Sequence, residues 1–188
     1  MTDLELDLTS VSSRTLCRRY ALVIPGATFV RVRDADDICE HPLFWVFGWL
    51  ADGECEPLGL CLGARALPQM LNDFKSRGLQ RVWHVEPLGE GCAQEAEDAT
   101  LAIERSFPGA LDSSKPHMLS SALAVAKDVR NRLIGAARRH GHFETEAAAL
   151  DFFALELHRA ESRLDRERQM AKERPRLDSV AQTAMKAG

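Results

Sequence analysis

The hydrophobic period of this chain switches from two to about 3.6 near residue 63, and that switch bounds the fold class. Before it lie apolar runs that read as strands. Residues 20–24 (YALVI) are apolar, Pro25-Gly26 interrupts them, and residues 29–33 (FVRVR) alternate apolar and basic. These two pieces read as one strand with a break at Pro25-Gly26. The run 34–37 (DADD) marks a turn, and 43–50 is a buried strand rich in aromatics. Asp52-Gly53 is a hairpin turn, because glycine accepts the positive φ such turns need. Residues 57–62 form the next strand. Three consecutive strands with short connections predict an antiparallel meander.

After the switch, Leu67, Met70, Leu71 and Phe74 share one helical face, with Pro68 in the first turn and Gly78 at the C-terminal end. Residues 81–85 (RVWHV) read as a fourth strand. A second helix covers about 92–106, with Ala96, Ala99, Ile103 and Phe107 at helical spacing, and 107–109 (FPG) stops it. Residues 110–115 are a short fifth strand or a loop. Two longer helices follow, from Met118 to about His140 and from Thr145 to about Glu173, and a tail is expected from Pro175. The order is α/β, a mixed sheet with an antiparallel meander followed by a helical hairpin.

Charge and composition exclude several classes. The 188 residues carry 24 Lys and Arg against 28 Asp and Glu, a formal net charge of −4. Residues 126–188 hold 13 basic and 10 acidic residues, leaving 11 basic and 18 acidic in the first 125. An acidic first part argues against a general DNA-coating protein. The run 43–51 is too short to cross a bilayer, and the acidic start is unlike a secretory signal. No membrane association is expected. The five cysteines (Cys17, Cys39, Cys55, Cys61, Cys92) are odd in number and unpatterned, which reads as reduced thiols of a cytoplasmic protein.

Candidate chemistry is sparse. Cys55 and Cys61 lie six apart, unlike a zinc pair, and read as core or strand thiols. His140 and His142 flank a glycine and read as a polar interhelix loop. Cys92 opens a helix, but no His is near it in sequence. No metal, cofactor or small-molecule substrate is expected. Lys127, Arg130, Arg132, Arg138 and Arg139 make the most basic helix, the best candidate for nucleic acid. In the last helix, Leu150, Phe153, Leu157 and Leu164 form an apolar stripe with Phe152 and Leu155 beside it. The stripe reads as a helix packed on the core at its start and solvated at its end. The sharper alternatives are a protein-partner or dimerisation arm using Phe152, Phe153, Leu157 and Leu164, or a basic side that tracks phosphate.

Read together, six blocks resemble the catalytic core of the Mutator-type bacterial transposases. They are Ala21-Leu-Val-Ile-Pro-Gly-Ala-Thr-Phe-Val-Arg-Val-Arg-Asp34, then Gly53-Glu-Cys-Glu-Pro-Leu-Gly-Leu60. Leu71-Asn-Asp-Phe-Lys-Ser-Arg-Gly-Leu-Gln-Arg-Val82 and Glu86-Pro-Leu-Gly-Glu-Gly91 follow. Last come Ala102-Ile-Glu-Arg-Ser-Phe-Pro-Gly-Ala110, and Pro116-His117 with Val129-Arg-Asn131. They cover about residues 20–150. The resemblance implies a ribonuclease-H-like core, an Asp-Asp-Glu metal triad, and a helical insertion that contacts DNA.

The chain departs from that pattern where the chemistry lies. The family's first metal-binding Asp falls on Pro25 and its second on Pro87, and Ser114 stands where many members have Cys. The third acid would lie beyond the insertion, in or after which this sequence ends, and the family's N-terminal helix-turn-helix region is missing. Two-metal phosphoryl transfer needs carboxylates holding two cations about 4 Å apart. Neighbours do not substitute: Glu86 is one residue from Pro87 and so turns to the other face of its strand, and Glu90 sits in a turn. Asp34 is roughly 30 Å from Pro25 along an extended strand. The expected organisation is an N-terminal segment (1–17), a ribonuclease-H-like core (18–116), an insertion-like helical hairpin (117–174) and a tail (175–188). The expected function is a catalytically inactive, transposase-derived protein that binds a protein partner or a further copy of itself as a subunit of a larger assembly. The alternatives are a DNA-binding regulator using the helix 127–139 and a residual metal-dependent nuclease.

Overall fold

The computed structural model describes residues 14–35, 37–88, 92–109 and 117–186, with side chains as far as residue 171. It is mixed α/β. Five strands, β1 (Arg19–Tyr20), β2 (Leu22–Asp34), β3 (Asp37–Trp49), β4 (Cys55–Leu62) and β5 (Arg81–Val82), are followed or interleaved by four helices. These are α1 (Leu67–Ser76), α2 (Ala93–Ser106), α3 (Leu119–His140) and α4 (Glu146–Lys186). The expected fifth strand at 110–115 and the segment 1–13 lie outside the described residues.

β2, β3 and β4 form an antiparallel sheet in that order, and β1 pairs with β5 in parallel. The two pieces are joined by a parallel bridge between Val23 and Val85. The expected break at Pro25-Gly26 is absent: β2 pairs with β3 without interruption from Leu22↔Trp49 to Asp34↔Asp37. The reason is which way the proline faces. Val23 donates to His84 O and accepts from Glu86, so odd positions of this part of β2 turn away from β3. The missing N–H of Pro25 therefore costs no bond to β3. Gly26 is required by packing, since a Cβ there would lie 2.1 Å from Cζ2 of Trp45. β3 also starts six residues before the expected Leu43, because residues 29–34 hold its first half in the hairpin. The Asp52-Gly53 turn forms as expected, with Gly53 at φ 89° and Asp52 accepting from the Glu54 N–H.

Helices cover both faces of the sheet. On one face Val23, Phe44 and Val46 pack against Leu67, Met70, Leu71 and Phe74 of α1 and Ala99 and Ile103 of α2. The four apolar positions read for α1 are all buried. α1 ends in a Schellman motif: Gly78 at φ 109° donates to Lys75 O, and Leu79 to Phe74 O. On the other face Leu22, Ile24, Trp45, Phe47 and Trp49 pack against α3 and α4. The buried positions of α3, Ala122, Ala126, Val129, Leu133 and Ala136, are mostly small, which lets the helix lie close to the sheet. The interhelix loop docks on β2 as well: Phe143 donates to Arg31 O and accepts from the Arg33 N–H. The two long helices therefore share one core with the sheet.

Thr145 accepts from the Ala148 N–H, the N-cap that starts α4. The expected stop at Pro175 is not observed, since the backbone stays helical through Lys186. In a helix interior proline forfeits one ladder bond and its ring crowds the carbonyl four residues back. Among the described residues no helix is long and apolar enough to cross a membrane.

Candidate functional site

The two prolines singled out by the sequence meet in the structure. The ladder that links Val23 to His84 and Glu86 continues with the Leu88 N–H donating to Pro25 O at 3.1 Å. Pro25 thus stands beside Pro87 on adjacent parallel segments. Val23 and Val85 belong to the core under α1 and α2, so the prolines two residues on face that same side. Pro25 is buried and Pro87 half-buried. Glu86 turns to the opposite face and pairs with His84, Oε2 to Nε2 at 3.1 Å. Asp34 is exposed at the far tip of the hairpin, and Glu90 lies outside the described residues. Among the described residues no three His, Cys, Asp or Glu side chains are placed to hold a metal ion. The residues present do not fit the two-cation site that the resemblance implies.

The basic positions of α3 divide. Lys127 and Arg138 are exposed, and Arg130 is half-buried with its charge reaching Cys92. Arg132 and Arg139 instead line a groove of about 540 Å³ between α3 and α4, together with Arg159 and Arg163 of α4. Two carboxylates temper it: Asp128 pairs with Arg132 at 2.6 Å, and Glu156 with Arg159 at 2.5 Å. The sequence reading missed Arg159 and Arg163. Their four-residue spacing, facing a seven-residue spacing on α3, is the signal that identifies them.

The apolar stripe of α4 is used by the protein itself. Phe153 and Leu157 are buried, 0% and 1% exposed, in the core shared with the sheet. Phe152 and Leu164 are half-buried against it. Phe152 also meets His140 edge-on, and His140 stacks on Phe143 at 3.9 Å. Phe153 and Leu157 thus form a core-packing face, as the first reading of the stripe expects, with Phe152 and Leu164 partly exposed at its margin. His142 bonds Glu144 at 3.1 Å, so the His140-Gly141-His142 loop is a structural one.

A polar cluster that the sequence did not indicate ties the start of the described chain to α4. Arg14 bridges Glu56 at 2.7 Å and Glu161 at 2.5 Å, and the Tyr20 hydroxyl donates to Glu56 at 2.5 Å. Arg77 Nε donates to Arg14 O. Beside this network, Arg168 donates to Cys55 Sγ at 2.8 Å, and Glu54 and Asp165 complete a cavity of about 580 Å³. Arg14 and Glu161 lie 147 positions apart, so no local pattern links them.

Burial is the largest influence on the titration of this region. It raises the Glu161 carboxyl above its ordinary 4.5, against the pull of Arg14. Ionisation is thus disfavoured in the fold. The stability this group contributes is full below 4.5 and is lost as pH rises through its raised value. Glu161→Gln lacks this titration, so its stability relative to wild type is expected to rise from about pH 4 to about pH 7, read by urea unfolding at each pH.

Burial also raises the thiols of Cys55 and Cys92 and pushes Cys61 up to about 12. Cys92 is thus no activated nucleophile. Cys55 and Cys61 belong to opposite cores and form no pair. In the native protein Ellman's reagent is expected to titrate the exposed Cys17 and Cys39 quickly and the other three only on unfolding.

No protein-family model matches the chain, and no curated protein is significantly similar to it.

Proposed function

We propose that this chain is a ribonuclease-H-like domain, related to the cores of Mutator-type transposases, that has lost their chemistry and acts by binding a protein as a subunit of a larger assembly. The strand order supports the architecture. The third, second and first long strands lie side by side and antiparallel, and the fourth runs parallel beside the first. Helices follow the third and fourth strands and cover one face. The observation that carries the inactive reading is Pro25 beside Pro87. These prolines occupy the two positions at which the resemblance calls for metal-binding aspartates, and neither has a ligand atom in its side chain. The acidic balance of residues 1–125 favours a protein partner over nucleic acid.

A second reading, binding of DNA, is favoured by the groove of Arg132, Arg139, Arg159 and Arg163. One experiment separates the readings. The full chain is incubated with short duplex DNA and Mg²⁺ or Mn²⁺, and the products are run on native and denaturing gels. No cleavage and no salt-sensitive shift at micromolar protein are expected. Cation-dependent cleavage that is abolished by Glu86→Ala or Glu90→Ala overturns the inactive reading. A shift that weakens with salt and with loss of Arg132 and Arg139 replaces the protein partner by DNA.

A further inference from the structure

We infer that the open edge of β4 is a docking groove for an extended basic segment of a partner protein, which joins the sheet as an additional strand. This rests on the reading of the chain as a binding subunit and gives that reading a location.

The pairing directions follow from the ladder at the other edge of the sheet. Val23 bonds toward β5, so Leu22 and Ile24 bond toward β3. Along β3, Leu43 and Trp45 then face β2, whereas Phe44 and Val46 face β4 and pair with Cys61 and Gly59. Leu60, between those two, directs its N–H and C=O outward. Among the described residues no strand lies on that side of β4. The open stretch is bounded at both ends. Arg77 Nη1 caps Leu58 O at 2.8 Å before it, and the Gly63 N–H turns back to Pro42 O after it.

An exposed strand edge is ordinarily blunted by lysine, proline or a covering element, because it templates pairing with another chain. Residues 59–62 are Gly-Leu-Cys-Leu and carry none of these charges. They form the floor of a groove of about 520 Å³. Met70 of α1 stands on one side, and Leu150 and Ala154 of α4 on the other. This is the arrangement for strand addition, in which main-chain bonds supply affinity and flanking pockets supply selectivity.

Charge selects the occupant. Asp73 in the α1 wall is matched by Arg77 at 2.9 Å. Glu146 and Asp151 on the α4 rim are exposed and have no ion-pair partner among the described residues. They are five residues apart on a helix, about 7.5 Å along its axis and about 140° around it, and both border the groove. Same-face side chains of an extended strand repeat about every 6.8 Å. Lysines at alternate positions of a docked strand therefore line the α4 side, where both carboxylates border the groove, with their aliphatic stems over Leu150. The residue between them turns to Met70 and is best apolar. A second copy of this chain would bring its own Glu146 and Asp151 against the same rim, so self-pairing is opposed by like charge.

The probe is a fluorescein-labelled hexapeptide of alternating lysine and valine, set against its glutamate-valine counterpart. Both are titrated into the full chain and read by anisotropy. The lysine peptide is expected to bind and the glutamate peptide not. On binding, exchange of the Leu60 amide hydrogen is expected to slow. Glu146→Lys with Asp151→Lys is expected to weaken binding at least tenfold. Leu60→Pro is expected to do the same with only a modest fall in melting temperature, because it removes an outward N–H and no bond to β3 while losing part of a half-buried side chain.

Equal binding of the two peptides, or binding by neither, overturns the proposal. So does a Leu60 amide already protected in the free chain, which would mean that a segment of the chain itself covers the edge. A peptide-free dimer that Leu60→Pro dissociates would name a second copy instead. If neither peptide binds yet the chain co-purifies stoichiometrically with a protein from its native cell, the groove fails and the binding-subunit reading stands. Cation-dependent DNA cleavage removes that reading itself.

Discussion

Replacing Phe153 by alanine is expected to cost about 3–5 kcal/mol of folding stability. The ring is 0% exposed and lies in the core that joins α4 to the sheet. It touches Phe143 at 5.6 Å between centroids and meets Phe152 edge-on at 5.2 Å. Its removal leaves a cavity between a helix and a sheet, neither of which can easily collapse into it. A domain of this size shifts its melting temperature by roughly 2–4 °C per kcal/mol, so a fall of about 10 °C is expected. Were the stripe an arm held out for a partner, truncation would change stability by no more than about 0.5 kcal/mol. Leu164→Ala, at the half-buried end of the same stripe, is expected to cost less. Thermal melts of the two variants thus read the burial gradient along α4 directly.

That helix illustrates what a sequence of this kind carries. Its apolar period placed Phe153 and Leu157 on one face correctly. A period does not say what covers the face, because its own sheet and a foreign protein present the same chemistry. The α1 helix was legible in full, since Leu67, Met70, Leu71 and Phe74, the proline of its first turn and Gly78 are all local signals. The strand through Pro25-Gly26 was not. Whether a proline breaks a strand depends on which neighbour its nitrogen faces, and residues 84–88, some sixty positions on, decide that. Gly26 looked like turn chemistry but answers to the Trp45 ring packed over it. Of the basic residues of α3, Arg132 and Arg139 line the groove whose other wall is α4. The Arg14–Glu56–Glu161 cluster joins three distant parts of the chain, and so no spacing could disclose it.

On the proposed reading, Pro25 and Pro87 stand where a pair of metal-binding carboxylates would stand. Adjacent strands are about 4.8 Å apart, so aspartates introduced at both positions would face each other from neighbouring strands on one face. Without a cation they would be two like charges, one of them at a buried position, and the double variant is expected to lose several kcal/mol. A cation held between them restores part of that loss, about 2.7 kcal/mol at a hundred times its dissociation constant. The decisive measurement is therefore the melting temperature of wild type, Pro25→Asp, Pro87→Asp and the double variant, each in EDTA and in Mn²⁺. The predicted result is a rise of several degrees with Mn²⁺ in the double variant, a small one in either single variant and none in wild type. Stabilisation of the wild-type chain by Mn²⁺ to the same degree, or no response from the double variant, would show that the two prolines do not replace a pair of metal ligands.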